Sequence, residues 1–248
     1  MIYYKSNYEI ERIREACKIV REVLNVLYEK IEEGLPTIEL DKEAEKLCKK
    51  YKARPAFKGY GGFPKSVCVS LNEEVVHGIP SAKKVIKKGD LVKIDFGVEY
   101  KGFYGDAAFT KIVGKPNKKK IKLVNATKEA LDNAINQAYI GNRLGKLSDT
   151  VEKTVKKYGF SVVRKFVGHG IGRELHEEPQ VPNFGDPNKG LIIKKGLVIA
   201  IEPMVNEGTF EVDILKDGWT AVTRDRKLSA HFEHTVAVTE NGPDILTL

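Results

Sequence analysis

Asp95 and Asp106 have ten residues between them, within a segment that runs from Leu91 to Asp106. Val92, Ile94 and Phe96 alternate as strand residues do, Tyr100-Lys101-Gly102 reads as a reversal, and Phe103 to Val113 reads as a returning strand. With the reversal centred near Tyr100-Lys101, the even separation predicts carboxylates directly opposite one another across a hairpin. Cross-strand neighbours have Cβ atoms roughly 4.5–5.5 Å apart. At ~5 Å two like charges repel by ~3 kcal/mol at an effective dielectric near ~20, so the pair calls for a cation. Most aspartates are simply solvated. Asp is depleted in strands, however, and Asp95 stands between the mostly apolar Leu91-Val92-Lys93-Ile94 and Phe96, which predicts an inward carboxylate.

Further candidates lie downstream and upstream. Gly168-His169-Gly170-Ile171-Gly172 presents a histidine between glycines, which permit close backbone approach. The GxGxxG spacing of a phosphate cradle is missing. His176 follows seven residues later, and His77 stands beside the turn His77-Gly78-Ile79-Pro80. Glu202 ends the apolar strand Leu197–Ile201, as a buried strand would read. In Ala230–Val238, alternation puts His231, Glu233 and Thr235 on one face, and Phe232, His234 and Val236 on the other. Collected, Asp95, Asp106, His169, Glu202 and Glu233 form a hard-to-borderline ligand set suited to Mn, Fe, Co or Zn and oxygen-rich enough for two divalent ions. If Asp106 and Glu233 each bridge, two ions ~3.5–4 Å apart hold a water between them, an arrangement that performs hydrolysis.

Such a cluster needs elements that gather distant residues. Ile10, Ile13, Cys17, Val20, Leu24, Leu27 and Ile31 recur three and four apart, predicting a helix over Glu9–Glu33 that ends at Gly34. A second helix is expected from Thr37 to about Tyr51 with Leu40, Ala44 and Leu47 inward, and a strand over Ser66–Leu71. The order then repeats: a helix over Ile121–Ile140, another from Ser148 or Asp149 to Tyr158, then β-like sequence. One offset of 107 residues lays Gly34 on Gly141, Leu40 on Leu147, Lys49-Lys50-Tyr51 on Lys156-Lys157-Tyr158, Ile86–Gly89 on Ile193–Gly196, and Asp95 on Glu202. The chain is therefore expected to be α+β: two pseudo-symmetric helix–helix–β halves, about 1–117 and 118–248, whose strands join into one curved antiparallel sheet within a single catalytic domain.

The composition, with 42% hydrophobic and 31% charged residues in 248, is that of an ordinary folded protein. No apolar run approaches the ~20 residues of a membrane span, and the N-terminal residues do not read as a secretory signal. Three widely spaced cysteines without a CxxC suggest neither a disulfide framework nor a thiolate zinc site, so a cytoplasmic location is expected. The net charge of +8 gathers in Lys83-Lys84, Lys87-Lys88, Lys118-Lys119-Lys120 and Lys122. A solvated surface is the plain reading of these runs, and RNA or a ribosomal surface the alternative.

Taken together, Asp95, Asp106, His169 in Gly-His-Gly-Ile-Gly, Glu202 in Ile-Glu-Pro-Met and Glu233 in Glu-His-Thr resemble the methionine aminopeptidases, a family with the pita-bread fold. The resemblance covers nearly the whole chain. It implies that Asp95 ligates one metal and His169 and Glu202 the other, that Asp106 and Glu233 bridge, and that Glu202 also helps activate a metal-bridged water that attacks the scissile carbonyl. It implies further that His77 contacts the scissile amide and His176 the oxygen that gains charge. Tyr60, Phe63, Cys68 and Trp219, with Phe57, match the wall that receives a methionine side chain. Leu175 and Gly61 stand where the family also shows an aromatic and a histidine. The implied activity is removal of the initiator methionine from nascent polypeptides when the second residue is small, with no DNA or membrane partner.

Only thirty residues separate Glu202 from Glu233, too few for the helical insertion of the type II enzymes, and no zinc-binding extension precedes the first helix. The bacterial type I form is therefore expected. Two other readings share the scaffold. A prolidase or X-Pro aminopeptidase usually carries an additional N-terminal domain, and a non-catalytic ribosome- or RNA-binding relative would be expected to have lost ligands.

Overall fold

A computed structural model of the protein describes all residues 1–248. The chain begins with α1 (Asn7–Lys30), α2 (Thr37–Tyr51), β1 (Arg54–Pro55), a 3-10 turn at Tyr60–Gly62, β2 (Cys68–Leu71), β3 (Leu91–Tyr100) and β4 (Phe103–Ile112). It continues with α3 (Lys118–Ile135), α4 (Leu144–Lys157), β5 (Ser161–Val162), β6 (Gly168–Gly170), β7 (Glu177–Val181), β8 (Val198–Ile201) and β9 (Met204–Asn206). Last come β10 (Val212–Ile214), β11 (Ala221–Thr223), β12 (Ser229–His231), β13 (Glu233–Thr239) and β14 (Gly242–Ile245).

The first helix starts at Asn7 because Ser6 caps it. The Ser6 Oγ accepts from the Glu9 N–H, and the Glu9 carboxylate accepts from the Ser6 N–H at 2.8 Å. It ends at Lys30, short of the expected Glu33, with Ile31 as its C-cap. Leu144 begins α4 four residues before the earlier of the expected starts, so that Leu144 and Leu147 are both buried on its inner face.

The 107-residue offset reappears in the backbone. Pro36 bridges Val85 and Arg143 bridges Ile192. The Gly34 N–H donates to the Ile86 carbonyl, and the Gly141 N–H to that of Ile193. Both glycines have φ of +88°. By the same offset Thr37, the first residue of α2, falls on Leu144, the first of α4.

The main sheet is antiparallel in the order β1-β3-β4-β13-β8-β6-β7, with β2 beside β3 and β14 beside β13. It carries the four helices. Strand alternation divides its faces. Val92, Ile94 and Phe96 pack with Val20, Leu24, Leu27, Leu40 and Ala44 of α1 and α2, while Ile199, Ile201 and Val236 pack with Leu131, Leu147 and Val151 of α3 and α4. Burying each such side chain contributes roughly 1.5–3 kcal/mol. The residues between them point to the opposite face, where chemistry is possible.

The hairpin differs from the expectation in one respect. Tyr100 pairs with Phe103, so the two-residue turn is Lys101-Gly102, with φ of +53° and +82°. A turn matched to strand twist needs positive φ at both central residues; centring it on Tyr100-Lys101 would impose that on two side-chain-bearing residues. Asp95 consequently faces Ala108, and Asp106 faces Gly97. The aspartates are diagonal neighbours on one face, not direct partners, a relation of ~7–8 Å between backbones that long or converging side chains close.

Candidate metal centre

Following the register across the sheet lines up two adjacent rungs on the concave side of the ladder. One is Asp95–Ala108–Glu233. Carrying the β13–β8 pairing one step past Ile201 brings Glu202 opposite Glu233. The other rung is Gly97–Asp106, then Thr235–Ala200–His169. Acids and imidazole alternate with Gly97, Ala108, Ala200 and Thr235, whose small side chains leave the functional groups room to converge.

They do converge. Ligand atoms of Asp106, His169 and Glu233 all lie within 4.8 Å of one another. The Nε2 of His169 is 3.6 Å from Glu202 Oε1. Its Nδ1–H donates to the Gly170 carbonyl at 2.9 Å, which leaves Nε2 with a free lone pair. The flanking glycines are required as expected: a Cβ on Gly168 would come within 2.3 Å of the Ala200 oxygen, and one on Gly170 within 2.3 Å of the Glu178 oxygen.

Burial dominates the electrostatics. It pushes Asp95 up to about 7 and lifts Asp106, Glu202 and Glu233 well above the ordinary carboxylate range, and for these last three repulsion by the neighbouring acids adds to it. Burial likewise lowers His169 to about 3 and His77 to about 4, and lowers His176, so that all three are neutral imidazoles. Asp95 Oδ1, Asp106 Oδ1 and Glu233 Oε1 are buried without a hydrogen-bond partner. Unpaired acceptors crowded beside a neutral imidazole are costly in a protein interior and become favourable around a cation. The residues thus fit a divalent metal, and the oxygen-rich donor set matches Mn, Fe, Co or Zn.

These five residues line one cavity of about 530 Å³, together with His77, His176, Tyr60, Phe63, Cys68, Trp219 and Phe57. His77 has φ of +59°, an unusual conformation for a residue with a side chain. Its ring meets Phe166 edge-on at 5.2 Å, and Phe63 meets Trp219 in the same manner at 5.2 Å. The Nδ1 of His176 lies 2.7 Å from the Tyr60 hydroxyl.

Four neighbours escaped the sequence reading in whole or part. Phe166 and Val76 also line the cavity, although nothing separates them from core residues in the sequence. His231 was placed on the Glu233 face by alternation; the strand breaks at Phe232, yet His231 Nε2 still lies 3.7 Å from Glu202 Oε2. Lys93 is fully buried, and its ammonium donates to the Asn72 and Ser229 carbonyls at 2.8 and 2.9 Å. It ties the turn after β2 and the first residue of β12 to the strand that carries Asp95.

The profile of metallopeptidase family M24 matches residues 11–240. A methionine aminopeptidase of Clostridium acetobutylicum is 49% identical over 248 residues, covering 100% of this chain and 99% of the relative. Methionine aminopeptidase 1 of Bacillus subtilis is 49% identical over 247 residues, with the same coverage. The crystal structure of methionine aminopeptidase from Thermotoga maritima superposes with a TM-score of 0.98 at 48% identity, covering 100% of this chain and 99% of that one. A prolidase from Pyrococcus furiosus superposes at 0.81 and 29% identity, but this chain covers only 65% of it.

Proposed function

The chain belongs to metallopeptidase family M24, and from that premise we infer the reaction and the residues that perform it. It is a metal-dependent aminopeptidase that removes an N-terminal methionine, as its full-length relatives do. The prolidase reading is remote by comparison. The observation that carries the assignment of the site is the convergence of five ligand side chains, three with unpaired buried oxygens, at the floor of an aromatic-walled cavity.

In this reading Asp95, Asp106, His169, Glu202 and Glu233 are the residues that would hold two divalent ions. Bound there, such ions supply a nucleophile at neutral pH and Lewis-acid polarisation of the scissile carbonyl. Glu202 would accept the proton released as the nucleophile adds. His176 donates to the carbonyl oxygen as it gains charge, and His77 contacts the scissile amide. Phe63, Trp219, Cys68 and Tyr60 exclude water and receive the methionine side chain. A small second residue is the preferred neighbour. The single-domain organisation, with halves near 1–117 and 118–248, belongs to the same proposal.

No helix is long and apolar enough to cross a membrane, and the three cysteines are free and buried; we assign the protein to the cytoplasm, with nascent chains as substrate. Two lysine runs meet on one surface, where Lys120 Nζ binds the Gly89 carbonyl and Lys88 packs against Gly114. That patch supports a contact with the polyanionic surface of the ribosome, which salt-sensitive co-sedimentation tests.

Purified protein loaded in turn with Mn, Fe, Co or Zn and given Met-Ala-Ser or an X-Pro peptide tests the main assignment. Preferential cleavage of Met-Ala-Ser that a chelator stops is expected. Faster X-Pro cleavage, or turnover that persists without metal, refutes it.

A further inference from the structure

Tyr60 lines the cavity and is also 47% exposed, which places it at the rim. His176 lies across from it, and their rings meet edge-on with centroids 5.0 Å apart. On its other side the His176 ring meets that of His169 at 4.3 Å. The one hydrogen bond that the imidazole makes within the protein joins its Nδ1 to the Tyr60 hydroxyl at 2.7 Å. We propose that the Tyr60 hydroxyl is a positioning group for His176: it donates to Nδ1, which fixes the ring's orientation and leaves the N–H on Nε2 to meet the substrate's carbonyl oxygen.

The chemistry of the pair points one way. A neutral imidazole carries a single N–H, and the partner of one nitrogen decides which nitrogen bears it. A separation of 2.7 Å is typical where a hydroxyl donates and shorter than the usual ~2.9–3.0 Å of a ring N–H donor. The phenol meets no other acceptor in the protein, and burial together with the charge of Glu174 holds its proton more firmly. Without the hydroxyl, the ring turns freely between two orientations and two tautomers, and only part of that population presents a donor. Tyr60 therefore has a role in turnover separate from that of its ring as pocket wall. The inference rests on the reading of His176 as the donor to the carbonyl oxygen.

A double-mutant cycle on metal-saturated enzyme with Met-Ala-Ser separates the two ideas. His176→Ala is expected to lower kcat about 100-fold, as loss of one such donor does. Tyr60→Phe, which keeps the ring, should lower kcat about ten-fold with KM within about two-fold, and the double variant should match His176→Ala alone. In zinc-loaded protein with ¹⁵N-labelled histidine, His176 should be the Nε2–H tautomer, and Tyr60→Phe should shift it toward a mixture. The positioning role is overturned if Tyr60→Phe acts on KM alone, if its effect multiplies with that of His176→Ala, or if the native enzyme shows Nδ1–H. An unchanged kcat in His176→Ala instead refutes the underlying role of His176, and the inference with it.

Discussion

Asp106 and Thr235 hold each other across β4 and β13 through two hydrogen bonds: the Asp106 N–H donates to Thr235 Oγ1 at 3.2 Å, and that hydroxyl donates back to the Asp106 carbonyl at 2.8 Å. The two residues are opposite one another in the sheet, where a regular ladder would need no side chain to join them. A threonine hydroxyl thus helps set the position of the strand that carries Asp106. Thr235→Val keeps the shape and removes the hydroxyl, leaving a buried N–H and C=O unpaired. We expect a loss of about 1–3 kcal/mol in stability and of about ten-fold or more in metal affinity. Thermal unfolding and metal titration check this; a variant within about 0.5 kcal/mol of the parent, with native affinity, removes Thr235 from the supporting shell.

Asp106 carries a buried carboxyl group, repelled by Glu233 and Asp95, whose burden a bound metal would relieve. Asp106→Asn is expected to abolish turnover, by at least about 1000-fold, while leaving the metal-free protein as stable as the parent or more so, because a neutral amide replaces a crowded acid. Differential scanning with and without metal should show the parent gaining far more from the ion than the variant. Equal gains would mean that Asp106 is not a ligand.

The pH dependence follows from Asp95, raised from 3.8 to about 7 by burial, and from its three acidic neighbours, raised in the same direction. The metal-free folded state keeps protons that the unfolded chain has already released, so its stability falls as pH rises from the unfolded carboxylate value toward 7. Metal binding expels those protons, so affinity rises across the same window. Calorimetry in buffers of different ionisation enthalpy should register net proton release; an uptake, or none, contradicts the assignment.

Glu9, paired with Arg173, behaves in the opposite sense. Its carboxyl is held below 4.5, first by the Ser6 N–H and then by the Ser6 hydroxyl and Arg173. That contribution is complete above the unfolded value and lost as pH falls through the lower folded value. Ser6→Ala, which breaks the capping box, should cost about 1 kcal/mol near neutrality and less at acid pH. A loss that grows on acidification would show that the box does not act through the Glu9 carboxylate.

Much of the candidate site was legible because each proposed ligand sits in a local pattern that strand or glycine chemistry constrains. Asp95 interrupts an apolar strand, His169 lies between glycines where any Cβ would strike Ala200 or Glu178, and Glu202 ends a run too apolar to be exposed. The helices were legible from their three-four spacing, and the repeat from a single offset. Their boundaries were less so, because Ser6 and Leu144 owe their positions to capping and to burial of α4's inner face, which periodicity alone does not weigh.

The sequence by itself determined which residues carry charge, metal affinity and strand or helix character, since those are properties of side chains and of spacing along one chain. Tertiary structure decided their company. A shift of one residue in the hairpin turn made Asp95 and Asp106 diagonal rather than opposed, and the ladders to β13 and β8 supplied Glu233 and Glu202 as their actual neighbours. The buried Lys93, the approach of His231 to Glu202 and the Tyr60–His176 contact emerged only there. Register and curvature are cooperative properties of the whole sheet, so no segment carries the distance between groups that a hundred residues separate.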